Sequence, residues 1–229
     1  MRLPAFRRAP AEYDERFVDT MASEYLERTP WTELRLEAVR SLVEPQAGEH
    51  VLDLGCAAGA ISHYLSTLGC DTVGVDAEPQ AIEKAQKLFP DLQFQLGNVA
   101  RLPFEEASFD KAVAADLVEH LDDETFGAML RETRRVLRPG GTLSIYTPNP
   151  KHPIERLKAH DLVLARNPTH IGLRDAATLE RMLGEAGFTV DLSDWRPSFF
   201  RGLRAVERVG GGRLESLRYR LCVRGRVLT

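Results

Sequence analysis

Small residues occupy positions 55–59, between an apolar stretch and a stretch of helical periodicity, and their spacing suits a loop that holds a nucleotide-like ligand. The run begins with Gly55 and ends with Gly59. Glycine allows positive φ and close approach of a ligand, while free N–H groups at the start of the next helix favour polar or anionic groups. The loop alone does not identify the ligand, because dinucleotide-binding enzymes place a glycine-rich loop at a similar position.

Polar residues at the ends of neighbouring predicted strands add to this loop. Asp53 lies inside the end of the first strand, Asp76 ends the second, and Asn98 follows the third. An acidic side chain at the position of Asp76 can accept both hydroxyls of a ribose. Because ligands of doubly wound sheets bind at the carboxyl ends of the strands, we expect these side chains to surround one nucleotide-like ligand.

Alternating apolar and helical segments predict the elements that position these residues. Strands are predicted over 50–54, 71–75, 92–96, 109–115, 141–146, 188–193 and 217–223. Helices are predicted over 11–28, 31–43, 60–68, 79–89, 123–137 and 176–186. This order predicts an α/β fold with a doubly wound, mostly parallel, seven-stranded sheet. Residues 1–45 would form an N-terminal helical lid on a core of residues 46–229, and 147–174 would form a long connection.

The composition fits a globular chain that can bury a core, since 43% of the residues are hydrophobic and 28% are charged. Apolar runs stay far below the roughly 20 residues of a membrane span. Three scattered cysteines exclude a disulfide framework and a cysteine-based zinc site. No apolar stretch follows the first arginines, so we expect no secretory signal and a cytoplasmic location.

Arginine is concentrated in the last part of the chain. Residues 196–229 contain nine arginines against Glu207 and Glu215, a balance of +7, whereas the whole chain carries -4. We interpret this segment as an edge strand and a helix with solubilising arginines, with an acidic partner as the alternative. A nucleic-acid partner is disfavoured, because basic and aromatic residues do not interleave elsewhere.

Taken together, the motifs resemble those of class I S-adenosylmethionine-dependent methyltransferases, and the resemblance extends from Val51 to Phe188. The nearest pattern is that of the ubiquinone-pathway O-methyltransferases. The matching pieces are residues 51–59, 74–76, 97–104, 108–110, 119–121 and 137–141. The resemblance implies a Rossmann-like methyltransferase fold and S-adenosylmethionine as the cofactor.

The resemblance also assigns residues to parts of the cofactor. Gly55 and Gly59 would pass its methionine end, and Arg35 would pair with its carboxylate. The remaining assignments are Asp76 at the ribose, Asn98 and Val99 at the adenine, and Asp116 and Leu117 near the methyl group, with Asp53 and Ala77 as further cofactor-binding residues. Two positions depart from the family pattern, since Ala57 replaces a glycine and Asn98 an aspartate. If Asn98 is an exposed turn residue, the adenine contact would depend on the backbone.

Methyl transfer from a sulfonium requires alignment of a nucleophile, and a base adds most when the nucleophile is a hydroxyl. His120 is the first candidate for that base, with a structural histidine as the alternative. His170 is the second candidate, ahead of His152 and His160. Trp31 and Arg35, with a stripe formed by Tyr13 and Phe17, could shield the site.

Asp116, Glu119 and His120 have i, i+3, i+4 spacing and resemble the magnesium site of the ubiquinone-pathway enzymes. We do not favour magnesium, because three residues of common type are a weak signal. The leading hypothesis is O-methylation of a small molecule, with N- or C-methylation or a non-catalytic, cofactor-binding regulatory protein as alternatives. A nicotinamide dehydrogenase would favour a third glycine where Ala60 stands. The acceptor and the oligomeric state, a homodimer included, stay open.

Overall fold

The computed structural model describes residues 15–159, 167–198 and 200–228. Its helices are α1 (Glu15–Leu26), α2 (Pro30–Val43), α3 (Ala60–Thr67), α4 (Pro79–Leu88), α5 (Asp123–Val136), α6 (Pro153–Ala159), α7 (Ala176–Glu185) and α8 (Arg201–Gly210). Its strands are β1 (His50–Leu54), β2 (Asp71–Asp76), β3 (Gln93–Leu96), β4 (Phe109–Ala115), β5 (Leu137–Pro148), β6 (Phe188–Arg196) and β7 (Arg220–Val227).

The strands form one seven-stranded sheet in the order β3-β2-β1-β4-β5-β7-β6. The first five strands pair in parallel, and β7 pairs antiparallel with both β5 and β6. The predicted mostly parallel, seven-stranded sheet is therefore confirmed. Because the chain leaves β1 toward one side and β4 toward the other, the crevice for a ligand lies at the carboxyl ends of these two strands.

Helices cover both faces of the sheet. On one face, Phe126, Met129 and Leu183 of α5 and α7 are fully buried against the strands. On the other face, α2 buries Leu36 and Leu42 in the cluster that also contains Val51 of β1. Helix α2 therefore packs against the sheet as part of the core. The division at residue 45 stays a prediction, and Tyr13 and the side chain of Phe17 lie outside the described residues.

Three elements differ from the predicted ones. Helix α6 lies within the predicted irregular connection, of which residues 160–166 are outside the described residues. Strand β5 begins at Leu137 and includes the predicted stop, because Leu137 pairs with Phe109 before the register shifts. Helix α8, between β6 and β7, lies in the arginine-rich segment, where the interpretation included a helix but gave no bounds for it. Local periodicity does not capture these features, because strand pairing and tertiary packing determine them.

The interpretation of the arginine-rich segment as an edge strand is wrong. Strand β7 lies inside the sheet, and β6 forms the edge. Arg224 of β7 is buried and pairs with Asp191 and Glu44, and Arg226 also pairs with Asp191. These arginines thus find their acidic partners within the chain. The charge count could not show this, because it does not record which strands are neighbours.

No helix in the described ranges combines the length and the apolar character that a bilayer span requires. The three cysteines, Cys56, Cys70 and Cys222, are all buried, and none of them forms a disulfide.

Candidate active site at the carboxyl ends of β1 and β4

The loop after β1 takes a conformation that only small residues fit. Gly55 has a φ of 67° and Gly59 a φ of 79°. A Cβ on Gly55 would lie 2.7 Å from Cδ1 of Leu117, and one on Gly59 would lie 2.6 Å from Cζ of Phe94. Ala57 also has a positive φ, 47°, at the position where the family pattern has glycine. The loop backbone is therefore of the glycine type, and Ala57 adopts it as an L-residue.

Asp76, at the end of β2, is held next to this loop by its own backbone contacts. The Ala57 N–H donates to Oδ2 of Asp76 over 2.9 Å, and the Glu78 N–H donates to Oδ1 over 3.0 Å. An ionised carboxylate has about four acceptor positions, so both oxygens can accept a further hydrogen bond. The residue predicted to bind a ribose is thus a carboxylate in a fixed orientation. Ala77, beside it, is exposed.

Asp53 lies beneath the loop and connects it to the start of α3. Its Oδ2 accepts hydrogen bonds from the backbone N–H of Ser62 at 3.0 Å and from the Ser62 hydroxyl at 2.7 Å. Burial raises the pKa of Asp53 to about 6, although the Ser62 hydrogen bonds act in the opposite direction. Asp53 lines a cavity together with Arg35, Asp116 and the loop residues. Its contacts indicate that it fixes the end of the loop.

Asn98 is an exposed turn residue after β3. Its side-chain oxygen accepts the Ala100 N–H over 2.9 Å, and the side chain of Val99 is buried in the core. The amide oxygen that was expected to face an adenine therefore stabilises the turn. Asn98 is therefore the exposed turn residue of the alternative prediction, in which an adenine contact depends on the backbone.

Asp116, directly after β4, binds two arginines. Nε of Arg35 donates to Oδ2 over 2.7 Å, and Nη1 of Arg220 donates to Oδ1 over 2.7 Å. Burial acts to raise the pKa of Asp116, but the two guanidinium groups outweigh burial and hold it below its ordinary value. Asp116 thus connects α2 and β7 at the end of β4, while the side chain of Leu117 packs against Gly55.

The predicted grouping of Asp116 with Glu119 and His120 is therefore wrong. The groups that lie within 4.8 Å of one another are Glu119, His120 and His170. Asp116 has φ 56° and precedes the short 3-10 helix Val118–His120, so the three residues do not share one helical face. This set offers one carboxylate and two imidazoles, whereas magnesium prefers oxygen ligands. These three ligands therefore do not fit a magnesium site of the kind that the resemblance to the ubiquinone-pathway enzymes implies.

The imidazole of His120 is oriented by the connection that follows β5. Its Nδ1 lies 3.2 Å from the carbonyl oxygen of Thr169, and its ring meets that of His170 edge to face at 4.9 Å between centroids. A carbonyl only accepts, so Nδ1 carries the proton of the neutral tautomer and Nε2 carries the lone pair. Burial lowers the pKa of His120, and burial with the nearby His120 lowers the pKa of His170 to about 4. Both imidazoles are therefore predominantly neutral at neutral pH.

Arg174 fixes the turn that carries His120, a role that the sequence analysis did not identify. Its Nη1 donates to the carbonyl oxygens of Val118 and Gly172 at 2.8 and 2.7 Å, and its Nη2 donates to that of Leu121 at 2.8 Å. The side chain is 3% exposed and also pairs with Asp123. An arginine before a predicted helix gives no sequence signal of this role, because its partners are backbone carbonyls.

A second cavity, of about 250 Å³, also has Asp116 in its wall. Its polar and aromatic lining includes Trp31, Glu119, His120, His170 and Arg220. It shares Arg35, Ala60 and Asp116 with the cavity at the glycine loop. The two predicted base candidates therefore line a space that adjoins the loop cavity. Arg220 was not predicted here; its only sequence signal is an arginine next to the apolar residues 221–223.

His152, another candidate histidine, does not line this cavity. His152 is fully buried and its Nε2 lies 3.0 Å from Oε1 of Glu207. This pair connects the start of α6 to α8. His160 lies outside the described residues.

Comparison with known proteins identifies the domain. Residues 51–141 match the family described as "Methyltransferase domain". The O-methyltransferase resE of Aspergillus sclerotiorum is 32% identical over 173 residues, which cover 69% of this chain and 62% of the relative. The ubiquinone biosynthesis O-methyltransferase of Xanthomonas axonopodis pv. citri is 33% identical over 121 residues, covering 51% of this chain and 49% of the relative.

A solved structure supports the fold over nearly the whole chain. A SAM dependent methyltransferase from Archaeoglobus fulgidus superposes with a TM-score of 0.69 at 17% identity, covering 90% of this chain and 99% of the other. The chain spans between 45% and 65% of the length of the first curated relatives that it matches. Residues 51–141 therefore form a methyltransferase domain, and the relatives, the sheet order and the loop geometry agree with the class I, S-adenosylmethionine-dependent type.

Proposed function

We propose that this chain transfers a methyl group from S-adenosylmethionine to an oxygen atom of a small molecule. The observation that carries this proposal is the adjacency of two cavities, which share Arg35 and Asp116. One cavity contains the glycine-type loop, and the other contains His120, a neutral imidazole with its lone pair on Nε2. Several relatives are named O-methyltransferases, which supports oxygen as the acceptor atom.

The residues around the glycine loop fit the cofactor. Asp76, beside the loop, offers two oriented oxygens to ribose hydroxyls, and the backbone at 55–59 allows close approach. Arg35 lines the loop cavity and can pair with a carboxylate, since the described residues supply an acceptor to its Nε and Nη2 only. When bound, S-adenosylmethionine supplies an electrophilic methyl group and leaves as the neutral thioether S-adenosylhomocysteine.

The acceptor hydroxyl is the group that needs help from the protein. As the new C–O bond forms, its proton passes to a base, and Nε2 of His120 is the candidate that the cavity offers. General bases of this kind typically contribute about 10² to 10⁴ in rate. His170 packs against the ring of His120 and stays neutral, so it orients the base without opposing its protonation. We assign His120 the role of base and His170 the role of a positioning residue.

The N-terminal helices contribute to the wall that would exclude water. The cavity of about 250 Å³, which we name the acceptor cavity, is lined by Trp31 and Thr32 of α2 and by Glu24 and Tyr25 of α1. Exclusion of water strengthens the electrostatic interactions of a site and prevents side reactions. Exclusion of water from the acceptor cavity is the role that we propose for the predicted lid formed by residues 1–45.

Two other functions compete with this proposal. N- or C-methylation needs less help from a base, so the oriented His120 favours oxygen. A non-catalytic regulatory protein would bind the cofactor without turnover. A cytoplasmic location and a homodimer stay predictions.

Isothermal titration of the full chain with S-adenosylmethionine, S-adenosylhomocysteine and NADH tests the cofactor. We expect micromolar binding of the first two only. A mass-spectrometric screen of phenols, hydroxylated natural products and sugars then tests for transfer to oxygen. Failure to bind S-adenosylhomocysteine would refute the proposal, and binding without any transfer would favour the regulatory alternative.

A further inference from the structure

Arg220, at the start of β7, is buried in the wall of the acceptor cavity and has few hydrogen-bond partners. The residue is 8% exposed. Its one hydrogen bond within the described residues joins Nη1 to Oδ1 of Asp116, and its Nε is buried without an acceptor. A guanidinium has five N–H donors, and buried polar groups are ordinarily hydrogen-bonded. The described residues therefore leave most of the donor capacity of Arg220 unused.

Aromatic rings surround the guanidinium on several sides. Its central carbon lies 5.2 Å from the ring centroid of Trp31, 5.3 Å from that of Tyr219 and 5.5 Å from that of Tyr146. Ring faces attract a cation and hold it in place, but they do not replace the strong oxygen acceptors that its N–H groups lack. The aromatic rings thus stabilise the charge and leave the donors to a ligand.

Arg220 shares its counter-charge with a second arginine. Arg35 and Arg220 each bind one oxygen of the Asp116 carboxylate, and Asp53, the other acid near Arg35, lines the loop cavity and not the acceptor cavity. Glu119 is 3.9 Å from Nη1 of Arg220, beyond hydrogen-bonding distance, and its Oε2 accepts the Thr147 hydroxyl instead. Burial, with the nearby Asp116, raises the pKa of Glu119 to about 8, so this carboxyl is mostly neutral at neutral pH. Glu24, the other acid of the cavity, is exposed.

We infer that Arg220 binds a carboxylate of the methyl acceptor, so that the substrate is a small hydroxy acid. The inference rests on the proposed function, because it names the substrate class of the same cavity. A planar guanidinium matches a carboxylate through parallel N–H···O bonds. A cavity of about 250 Å³ holds a small aromatic or aliphatic hydroxy acid.

The test compares acids with neutral molecules of the same shape. Salicylate, protocatechuate and mandelate, each with its primary amide, are titrated into the full chain saturated with S-adenosylhomocysteine. We expect at least one acid to bind about tenfold or more tightly than its amide, as hydrogen bonds to a charged group imply. This comparison uses the unchanged chain and needs no variant to fold.

Variants then assign the preference to Arg220. Arg220→Gln should abolish the difference between acid and amide, and Arg220→Lys should keep only part of it. Arg213→Gln is the matched control, because Arg213 is an exposed arginine of the same segment. Thermal denaturation and S-adenosylhomocysteine titration of each variant verify the fold.

The outcomes separate the two proposals. If S-adenosylhomocysteine does not bind, the proposed function fails. If it binds but no acid is preferred over its amide, or if Arg220→Gln keeps the preference, the inference about Arg220 is overturned and the proposed function stands. A loss of S-adenosylhomocysteine affinity in Arg220→Lys, with acid preference unchanged, would make Arg220 a cofactor ligand and also overturn the inference.

Discussion

Asp116 and Arg220 are 104 residues apart in the chain, yet Nη1 of Arg220 donates to Oδ1 of Asp116 over 2.7 Å. The contact forms because β5 pairs with β4 on one side and with β7 on the other, which brings the end of β4 close to the start of β7. Arg35 binds the second oxygen from α2. One carboxylate therefore joins three elements at the point where the two cavities meet.

Replacement of this carboxylate should destabilise the fold. In Asp116→Asn two largely buried guanidinium groups lose their shared counter-charge. We expect the free energy of unfolding to fall by about 3 kcal/mol, the lower end for a broken buried ion pair, because the Asp116 side chain keeps 21% exposure. Urea denaturation measures the change. Asp91→Asn, at an exposed position, should stay within about 0.5 kcal/mol of the unchanged chain, and equal losses in both variants would contradict the assignment.

Ala57 makes the loop conformation testable. Its φ of 47° lies in the left-handed region, which costs a non-glycine residue roughly 1–2 kcal/mol. Ala57→Gly removes this strain but gives the unfolded chain more freedom, so the net gain should be about 1 kcal/mol or less. Ala58→Gly is the control, because Ala58 is buried without a positive φ and should lose stability. Equal destabilisation by both changes would show that the loop is not strained at Ala57.

The parts of the site that follow local sequence rules lie where the pattern placed them. The glycine loop, the carboxylate at the end of β2 and the ends of β1 and β4 depend on residue types within a few positions. The predicted bounds of β1 and β4 agree with the structure. Parallel strands bring such ends to one edge of a sheet, so the position of Asp76 beside the loop also followed from the pattern.

The contacts that cross the sheet could not be predicted in this way. Arg220 reaches Asp116 only because β7 inserts between β5 and β6, and no local signal gives that order. His170 meets His120 where Arg174 joins the turn that carries His120 to Gly172. These contacts depend on long-range packing, whereas the sequence pattern describes only neighbours along the chain.

The proposed base predicts a specific pH dependence. Burial is the largest influence on His120 and lowers its pKa from the ordinary value of 6.5, although the Thr169 carbonyl and Asp116 oppose it. The unprotonated base is then present at neutral pH and is lost only as the pH falls through the lowered pKa. The acid limb of the kcat/KM profile should therefore lie below pH 6.5. A limb at or above this value would indicate a different group.

Removal of the base should slow turnover without loss of cofactor. His120→Ala should reduce kcat for a hydroxyl acceptor by about 10² to 10⁴ and leave S-adenosylhomocysteine affinity within a few-fold. His50→Ala is the control, because this half-exposed histidine lies at the opposite end of β1. Equal effects of His120→Ala on turnover and on cofactor affinity would exclude the base role.

Asp76 should control cofactor affinity. Asp76→Asn keeps the shape of the side chain but removes the charge, and its NH₂ group would oppose one of the two backbone N–H donors. Each hydrogen bond to a charged group contributes about 1.5–3 kcal/mol, so S-adenosylhomocysteine should bind roughly tenfold more weakly or worse. Calorimetry measures the affinity. Glu78→Gln, an exposed acid two residues further along, should change it little.

The pair of His152 and Glu207 is expected to attach α8 to the core. Both side chains are fully buried, and Oε2 of Glu207 accepts the Ser198 N–H over 2.6 Å. Nδ1 of His152 accepts the Ile154 N–H over 3.2 Å, so Nε2 carries the proton and donates to Glu207. Both oxygens of Glu207 therefore meet donors, and an amide at this position would direct an NH₂ group at one of them.

Glu207→Gln should cost about 1–3 kcal/mol of unfolding free energy in urea denaturation and should reduce hydrogen-exchange protection of residues 201–210. Glu185→Gln, which breaks the exposed ion pair with Arg181, is the matched control and should cost at most about 0.5 kcal/mol. Burial lowers the pKa of His152 despite Glu207, so the unfolded chain binds the proton first as the pH falls. The stability contributed by this neutral histidine is therefore present above pH 6.5 and is lost below it. Unchanged protection of α8 in Glu207→Gln would show that other contacts hold this helix.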